Sequence, residues 1–335
     1  MPRLFSVGAL FILISGCVGG LFSCQTDSCR AIPDLSSTRV SVSLVPLDQA
    51  LFAAQSSQDI EKLLYQYPDF AHTYLHSDEY PADSVLARQY YQLVGNPSID
   101  TLHQQTEETF GDYAGLHEDF TQAFRLIKYH FPAFVAPTVY TAFTGLGTFG
   151  DDLLVTDSLV VVSTEFFVGP SARYRPQTHD YILHRYQPLT IVPSCLLLLS
   201  DRFNATDLSD QSLLAEMIYY GKSYYFVRQT MPCLADSILM GYSSEQMRLV
   251  EENRQLIWSH FVDNELFFKN DQTAKTRYLA DRPGTAEINN RLPGQVGRWL
   301  GLQIVQTYAE RSGASLPEVM QQEAQELFIQ AKYRP

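Results

Sequence analysis

A glycine-rich run, Gly145-Leu146-Gly147-Thr148-Phe149-Gly150, matches G-x-G-x-x-G and follows a strand-like segment. Dinucleotide binding needs a helix to open at that point and present its amides to a pyrophosphate. Here Asp151-Asp152 and a second strand-like run follow, and two carboxylates repel phosphate. The run therefore reads as a turn between strands. His117-Glu118 is the only His-Glu dipeptide, but the residue four on from His117 is Thr121, so the second imidazole of an H-E-x-x-H zinc site is missing. His72 and His76 have the i, i+4 spacing without a glutamate base between them, and His179 and His184 have no ligand spacing. Serine chemistry is equally thin, because neither G-x-S-x-G nor S-x-x-K occurs. Glu107-Glu108 and Glu251-Glu252 read as solvated helix faces. No catalytic residue, metal ligand or cofactor site follows from these patterns.

Cys17 has the clearest chemical context. Met1-Pro2-Arg3 supplies one positive charge, Leu4 to Ile14 is almost wholly apolar, and Ser15-Gly16 precede the cysteine. A charged start, a short apolar stretch and small residues describe a secretory signal peptide. Ile14-Ser15-Gly16-Cys17 resembles a bacterial lipobox, in which the cysteine is acylated and becomes the first mature residue. The expected organisation is a signal peptide over 1–16, a lipidated tether over 17–38 and one globular domain over 39–335. An uncleaved helix over Leu4–Phe22 is the alternative, although Gly8, Gly16, Gly19 and Gly20 interrupt it. Cys24 follows Leu-Phe-Ser, a poorer lipobox. With Cys17 acylated, Cys24, Cys29, Cys195 and Cys233 remain, an even number that permits two disulfides in an oxidising compartment. Cys24 and Cys29 lie close enough to pair locally, and Cys195 and Cys233 are equally readable as buried thiols.

Charge narrows the partners. The 335-residue chain carries a formal net charge of −13, which disfavours nucleic acid, whose affinity rests on Lys and Arg meeting phosphate. It also disfavours adhesion to anionic lipid through the protein surface, leaving the acyl anchor as the membrane contact. The later apolar run Ile191–Ser200 is too short to span a bilayer and contains Pro193.

The elements that must hold any site can be read from periodicity. A first strand is expected from Val40, then helices over Ser57–Tyr67, Asp83–Leu93 and Ile99–His130, the last broken near Gly111 and Gly115. Three β-rich runs follow, Thr138–Thr144, Asp152–Thr156 and Leu159–Thr164, and then an irregular excursion over 165–194. Beyond Asp207 the chain is helical. Ser243-x-x-Gln246 and Ser315-x-x-Glu318 are capping boxes opening two of those helices. The expected class is α+β, mostly helical around a small central sheet, and 20 Phe and 20 Tyr supply a sizeable core. Gly221, Gly297 and Gly301 fall inside helices, where each costs about 1 kcal/mol against Ala. A close helix–helix approach is the expected compensation. Met217 to Phe226 places four tyrosines and Lys222 on one helix, either a core helix with satisfied hydroxyls or the wall of a ligand or partner cleft.

An ordered set of segments carries a resemblance. Ile32-Pro-Asp-Leu-Ser, Leu51-Phe, Tyr67-Pro-Asp-Phe70, Met217-Ile-Tyr-Tyr-Gly-Lys222, Gly241-Tyr, Glu251-Glu-Asn253, Ile257-Trp258, Pro293-Gly-Gln-Val-Gly-Arg-Trp-Leu-Gly301 and Ala331-Lys-Tyr-Arg-Pro335 occur in the order seen in the gliding motility lipoprotein GldB family. The chain resembles that family over nearly its whole mature length. The resemblance implies an envelope lipoprotein needed for surface gliding or the secretion machinery coupled to it, with motility and secretion proteins as partners. The family is in turn similar to predicted zinc-dependent proteases, which implies a degenerate zincin-like scaffold. There a second helix carries Glu-Gly, whose glutamate is the third ligand; Tyr220-Gly221 resembles it with tyrosine in the ligand position. Tyr220, Lys222, Tyr224, Arg298 and Trp299 are the residues expected to line the former substrate cleft. Val18-Gly-Gly lacks the acidic cluster of surface-exported relatives, so the periplasmic face of the outer membrane is the expected address. Three functions compete: a non-catalytic motility component, a peptide- or cell-wall-binding lipoprotein, and a residual hydrolase with an unrecognised site.

Overall fold

A computed structural model describes residues 29–207 and 209–335. Cys17, Cys24 and the signal sequence lie outside them. The sheet has four short strands, β1 (Leu44–Pro46), β2 (Thr138–Ala142), β3 (Leu153–Val155) and β4 (Leu159–Ser163), in the order β1-β2-β4-β3. β1, β2 and β4 run parallel and β3 returns antiparallel on β4 as an edge. β4 is buried along its whole length, as its uninterrupted Leu-Val-Val-Val run requires of a strand covered on both faces.

Among the described residues, sixteen α-helices enclose this sheet. Between β1 and β2 come α1 (Leu47–Ala53), α2 (Ser57–Gln66), α3 (Pro68–Thr73), α4 (Asp83–Val94), α5 (Pro97–Phe110) and α6 (Ala114–His130). After β4 come α7 (Asp180–Leu183), α8 (Ile191–Leu199), α9 (Leu213–Thr230), α10 (Asp236–Met240), α11 (Ser244–Glu252) and α12 (Arg254–Asp263). The chain ends with α13 (Gln272–Leu279), α14 (Val296–Ser312), α15 (Leu316–Gln321) and α16 (Ala324–Ala331).

Alternation along the strands divides the core in two. Tyr140, Ala142, Leu159 and Val161 face a smaller cluster built by α1 to α4, whereas Val139, Val160 and Val162 face the larger one built by α6, α8, α9 and α14. The first strand is shorter than expected, because only Leu44–Pro46 pairs with β2. The break in the long helix falls at Gly111, which has φ +56°, while Gly115 sits inside α6. Residues 165–194 are more ordered than a loop: they form two 3-10 turns, α7 and the start of α8. Pro193 is harmless there, since it occupies the first turn of α8, where no intrahelical N–H partner is lost. Both capping boxes form, with Ser243 and Gln246 exchanging bonds ahead of α11 and Ser315 and Glu318 ahead of α15.

α9 and α14 pack along their length, and glycine permits the approach. A Cβ on Gly301 would lie 1.9 Å from the Met217 carbonyl oxygen, and one on Gly221 would lie 2.5 Å from the Gly301 carbonyl. Gly297 serves a different contact, against Tyr278 and Leu279 of α13. The disulfide is not local: Cys29 bonds Cys233 across 204 residues, and Cys195 is a buried free thiol whose pKa burial raises. Arg30 reinforces the junction by pairing with Asp236 at 2.5 Å.

Candidate functional site

α9 carries its tyrosines on more than one face, and the spacing decides where each points. Tyr220 and Tyr224, one turn apart, line a cleft of about 590 Å³ between α7, α8, α9, the start of β3 and the first turn of α14. Arg298, in that first turn, lays its guanidinium over the Tyr220 ring with the carbon 4.0 Å from the ring centroid. Such a stack attracts the cation to the negative face of the ring. Lys222 is two residues on from Tyr220, about 200° around the helix, and it leaves the cleft. Its buried ammonium donates to the carbonyl oxygens of Ala205 at 2.6 Å, Met320 at 3.1 Å and Gln322 at 3.1 Å. Burial lowers its pKa to about 8. Trp299, one residue past Arg298, turns wholly into the core. Three of the five residues expected in the cleft are thus brought together, and Lys222 and Trp299 are structural.

Further polar residues complete the wall, and among them only Tyr219, one of the four tyrosines of α9, stood out in the sequence. Arg185, just past α7, pairs with Asp281 at 2.6 Å. Asp281 also accepts from the side-chain amide of Gln295, which caps α14 in the left-handed conformation at φ +61°. Tyr186 donates to Asp152 Oδ2 at 2.8 Å at the entry to β3, and burial raises its pKa. Tyr219 donates to Asp201 at 2.5 Å on the far lip. These residues come from segments with no shared period, so nothing in their spacing announces a common site. The local hint was composition: the 165–194 excursion is unusually rich in aromatic and basic side chains for a loop.

The glycine-rich run does the opposite of cradling phosphate. It turns from β2 towards β3, and its Leu146 amide joins Thr144, just ahead of the run, in pointing at a carboxylate of the chain. Glu165 Oε1 accepts from Thr144 N at 2.7 Å, Thr144 Oγ1 at 2.8 Å and Leu146 N at 3.3 Å. Glu165 is buried, its Oε2 has no partner, and burial raises its pKa to about 7 against the stabilising Thr144 bonds. A second buried acid, Asp48, accepts from the hydroxyls of Tyr113 and Thr141 at the carboxyl ends of β1 and β2.

The histidines do not converge. His117 Nε2 meets the Val42 carbonyl at 3.1 Å, and His72 pairs with Asp78 at 3.0 Å on the surface. Among the described residues no group of three His, Cys, Asp or Glu side chains is placed to hold a metal. Nor is any helix there long and apolar enough to cross a membrane.

Fold and site together define a mostly helical α+β protein with a cleft walled by tyrosine and arginine, its amino-terminal tail pinned by a disulfide. The chain belongs to the gliding motility protein GldB family, whose model matches residues 28–335. That membership makes it a cell-envelope lipoprotein of gliding motility. No curated protein and no solved structure matches it.

Proposed function

We propose that this protein is anchored by acyl chains on Cys17 at the periplasmic face of the outer membrane. There it acts as a non-catalytic assembly component, holding a partner of the motility machinery and its coupled secretion apparatus through the cleft. The observation that carries this reading is the Arg298–Tyr220 stack at the centre of an open, polar, aromatic-walled cleft. Aromatic and arginine side chains are the ones enriched where proteins bind proteins.

The same cleft supports descent from a zinc protease scaffold that has lost its metal. β3 forms the sheet edge against α8, and α8 packs on α9. On α8 the cleft-lining residues one turn apart are Ser194 and Leu198, and Tyr220 faces them from α9. A catalytic zinc needs three nitrogen, sulfur or carboxylate ligands and an open position. A serine, a leucine and a phenol stacked under a guanidinium are not such a set, which supports reading the cleft as a binding site.

Two measurements test the proposal. Metal analysis of the purified protein is expected to find no stoichiometric zinc; one zinc per chain would overturn the non-catalytic reading. Crosslinked envelopes from cells expressing the full chain are expected to yield a defined envelope protein, and Tyr220→Ala is expected to lose it. Equal capture by Tyr220→Ala would remove the cleft from the account.

A further inference from the structure

A second hollow lies past the carboxyl end of α9, away from the cleft. Its volume is about 460 Å³, and α6, the start of α8 and the turn after α9 wall it. The lining is largely apolar, with Leu126, Val192 and Leu234 buried beneath it and Leu189 and Met231 beside them. The amino-terminal tail contributes Ile32 and Leu35. Hydrogen bonds hold that tail in place: Arg30 N donates to Pro232 O at 3.1 Å and Arg125 Nε donates to Thr38 O at 2.8 Å. Leu189 is 55% exposed and Ile32 54%, so two large aliphatic side chains of one groove face water. Apolar surface gathered in a groove, unlike a single exposed side chain, marks a contact site.

Where the preceding chain joins the body decides the occupant. Cys233 lines the groove and is disulfide-bonded to Cys29, so the residues before Cys29 enter at its rim. They include an apolar pair, Leu21-Phe22, whose phenylalanine stands seven positions before Cys29. We propose that the groove is the seat of Leu21-Phe22, folded back from Cys29 onto the same chain. Seven residues reach about 25 Å when extended, so the pair can return to a groove that begins at the disulfide. The covalent link makes the encounter intramolecular, at an effective concentration on the order of millimolar, which lets a two-residue contact be populated. Charge favours this occupant over the bilayer. Glu118 and Asp119 stand exposed on the α6 side and repel anionic headgroups, whereas Leu21-Phe22 carries no charge. The cleft plays no part in this contact, but anchoring at Cys17, as proposed above, gains a consequence. Twelve steps of chain from Cys17 to Cys29 allow about 40 Å between anchor and body, and five steps from Cys17 to a seated Phe22 allow about 17 Å. Seating the pair draws the groove side of the body towards the anchored leaflet.

The test places a photoreactive phenylalanine analogue at position 22 of the full chain in its native envelope. Cells are illuminated, and the adducts are mapped by mass spectrometry after reduction of the disulfide. The expected adducts join position 22 to Met231, Leu189 or their groove neighbours within the same chain. Leu189→Asp changes an exposed rim residue, so the melting temperature of the body should hold while the intrachain adduct falls at least about tenfold. Leu21→Asp, which lies outside the described residues, should lower the same adduct to a similar extent. Adducts chiefly on phospholipid, on a second copy or on another protein overturn the proposal, as does the absence of adducts. An intrachain yield unchanged by both substitutions overturns it as well. Partner capture by the cleft is read separately with Tyr220→Ala and stands or falls on its own.

Discussion

Glu165 turns burial into a pH response. Its carboxyl titrates near 7 in the folded chain and near 4.5 when exposed. Between those values the native state holds a proton that the unfolded state has released, so the stability this group contributes is complete below about pH 4.5 and is lost as pH rises through about 7. Glu165→Gln keeps the acceptor for Thr144 and Leu146 and cannot ionise. The unfolding free energy of the wild type should therefore fall relative to Glu165→Gln between pH 5 and pH 8, by as much as about 3 kcal/mol. Parallel denaturation profiles for the two proteins would refute this. Lys222 is the converse case, a buried ion stitching Ala205 and the turn after α15 to α9. Lys222→Met strands three carbonyl oxygens and should lower chemical-denaturation stability by about 2 kcal/mol, without changing what the cleft binds.

At the scale of elements, the α9–α14 contact is held open by the absence of side chains. Gly301→Ala drives a methyl into the Met217 carbonyl and should cost about 3 kcal/mol, through overpacking that backbone cannot relieve cheaply. Gly115→Ala is the matched control: its added methyl meets nothing within 4 Å in α6, so a gain of about 0.5 kcal/mol is expected. Thermal denaturation of the two variants reads both signs. The Cys29–Cys233 bond closes a 204-residue loop, and its loss in Cys29→Ser should cost about 2–5 kcal/mol.

Spacing made much of this legible. Gly301 inside a helical period demanded a close neighbour, the two capping boxes opened helices where their residues stand, and Asp151-Asp152 ruled out a phosphate turn. What sequence could not supply was pairing at long range. The partner of Cys29 lies 204 residues away, and Tyr220 and Arg298 sit on helices separated by four others. Lys222 and Trp299 were misplaced for one reason: neighbours of a cleft residue on a helix point about 100° or 200° away from it. Glu165 gave no sign of burial, because its ladder of amide donors exists only once the β2–β3 turn has closed around it.

Over the whole molecule, a small mixed sheet separates two cores, and the cleft opens on the side of the larger one, where α7, α8, α9 and α14 meet the β3 edge. The tail that leads to Cys17 departs from the α9–α10 corner, fixed by the disulfide and by Arg30 on Asp236. In the proposed function, anchoring falls to Cys17 and binding to the cleft, separate parts of one chain. Cys17→Ala should block labelling by a fatty-acid analogue while the melting temperature of the body stays unchanged; undiminished label in that variant would rule Cys17 out. The most direct test of the central claim is site-specific photo-crosslinking in cells. A photoreactive residue at Leu198, 49% exposed within the cleft, is compared with one at Tyr65, 86% exposed on α2 across the sheet. A defined envelope adduct at Leu198 and none at Tyr65 is the predicted result, and equal or absent adducts at the two positions would contradict the account.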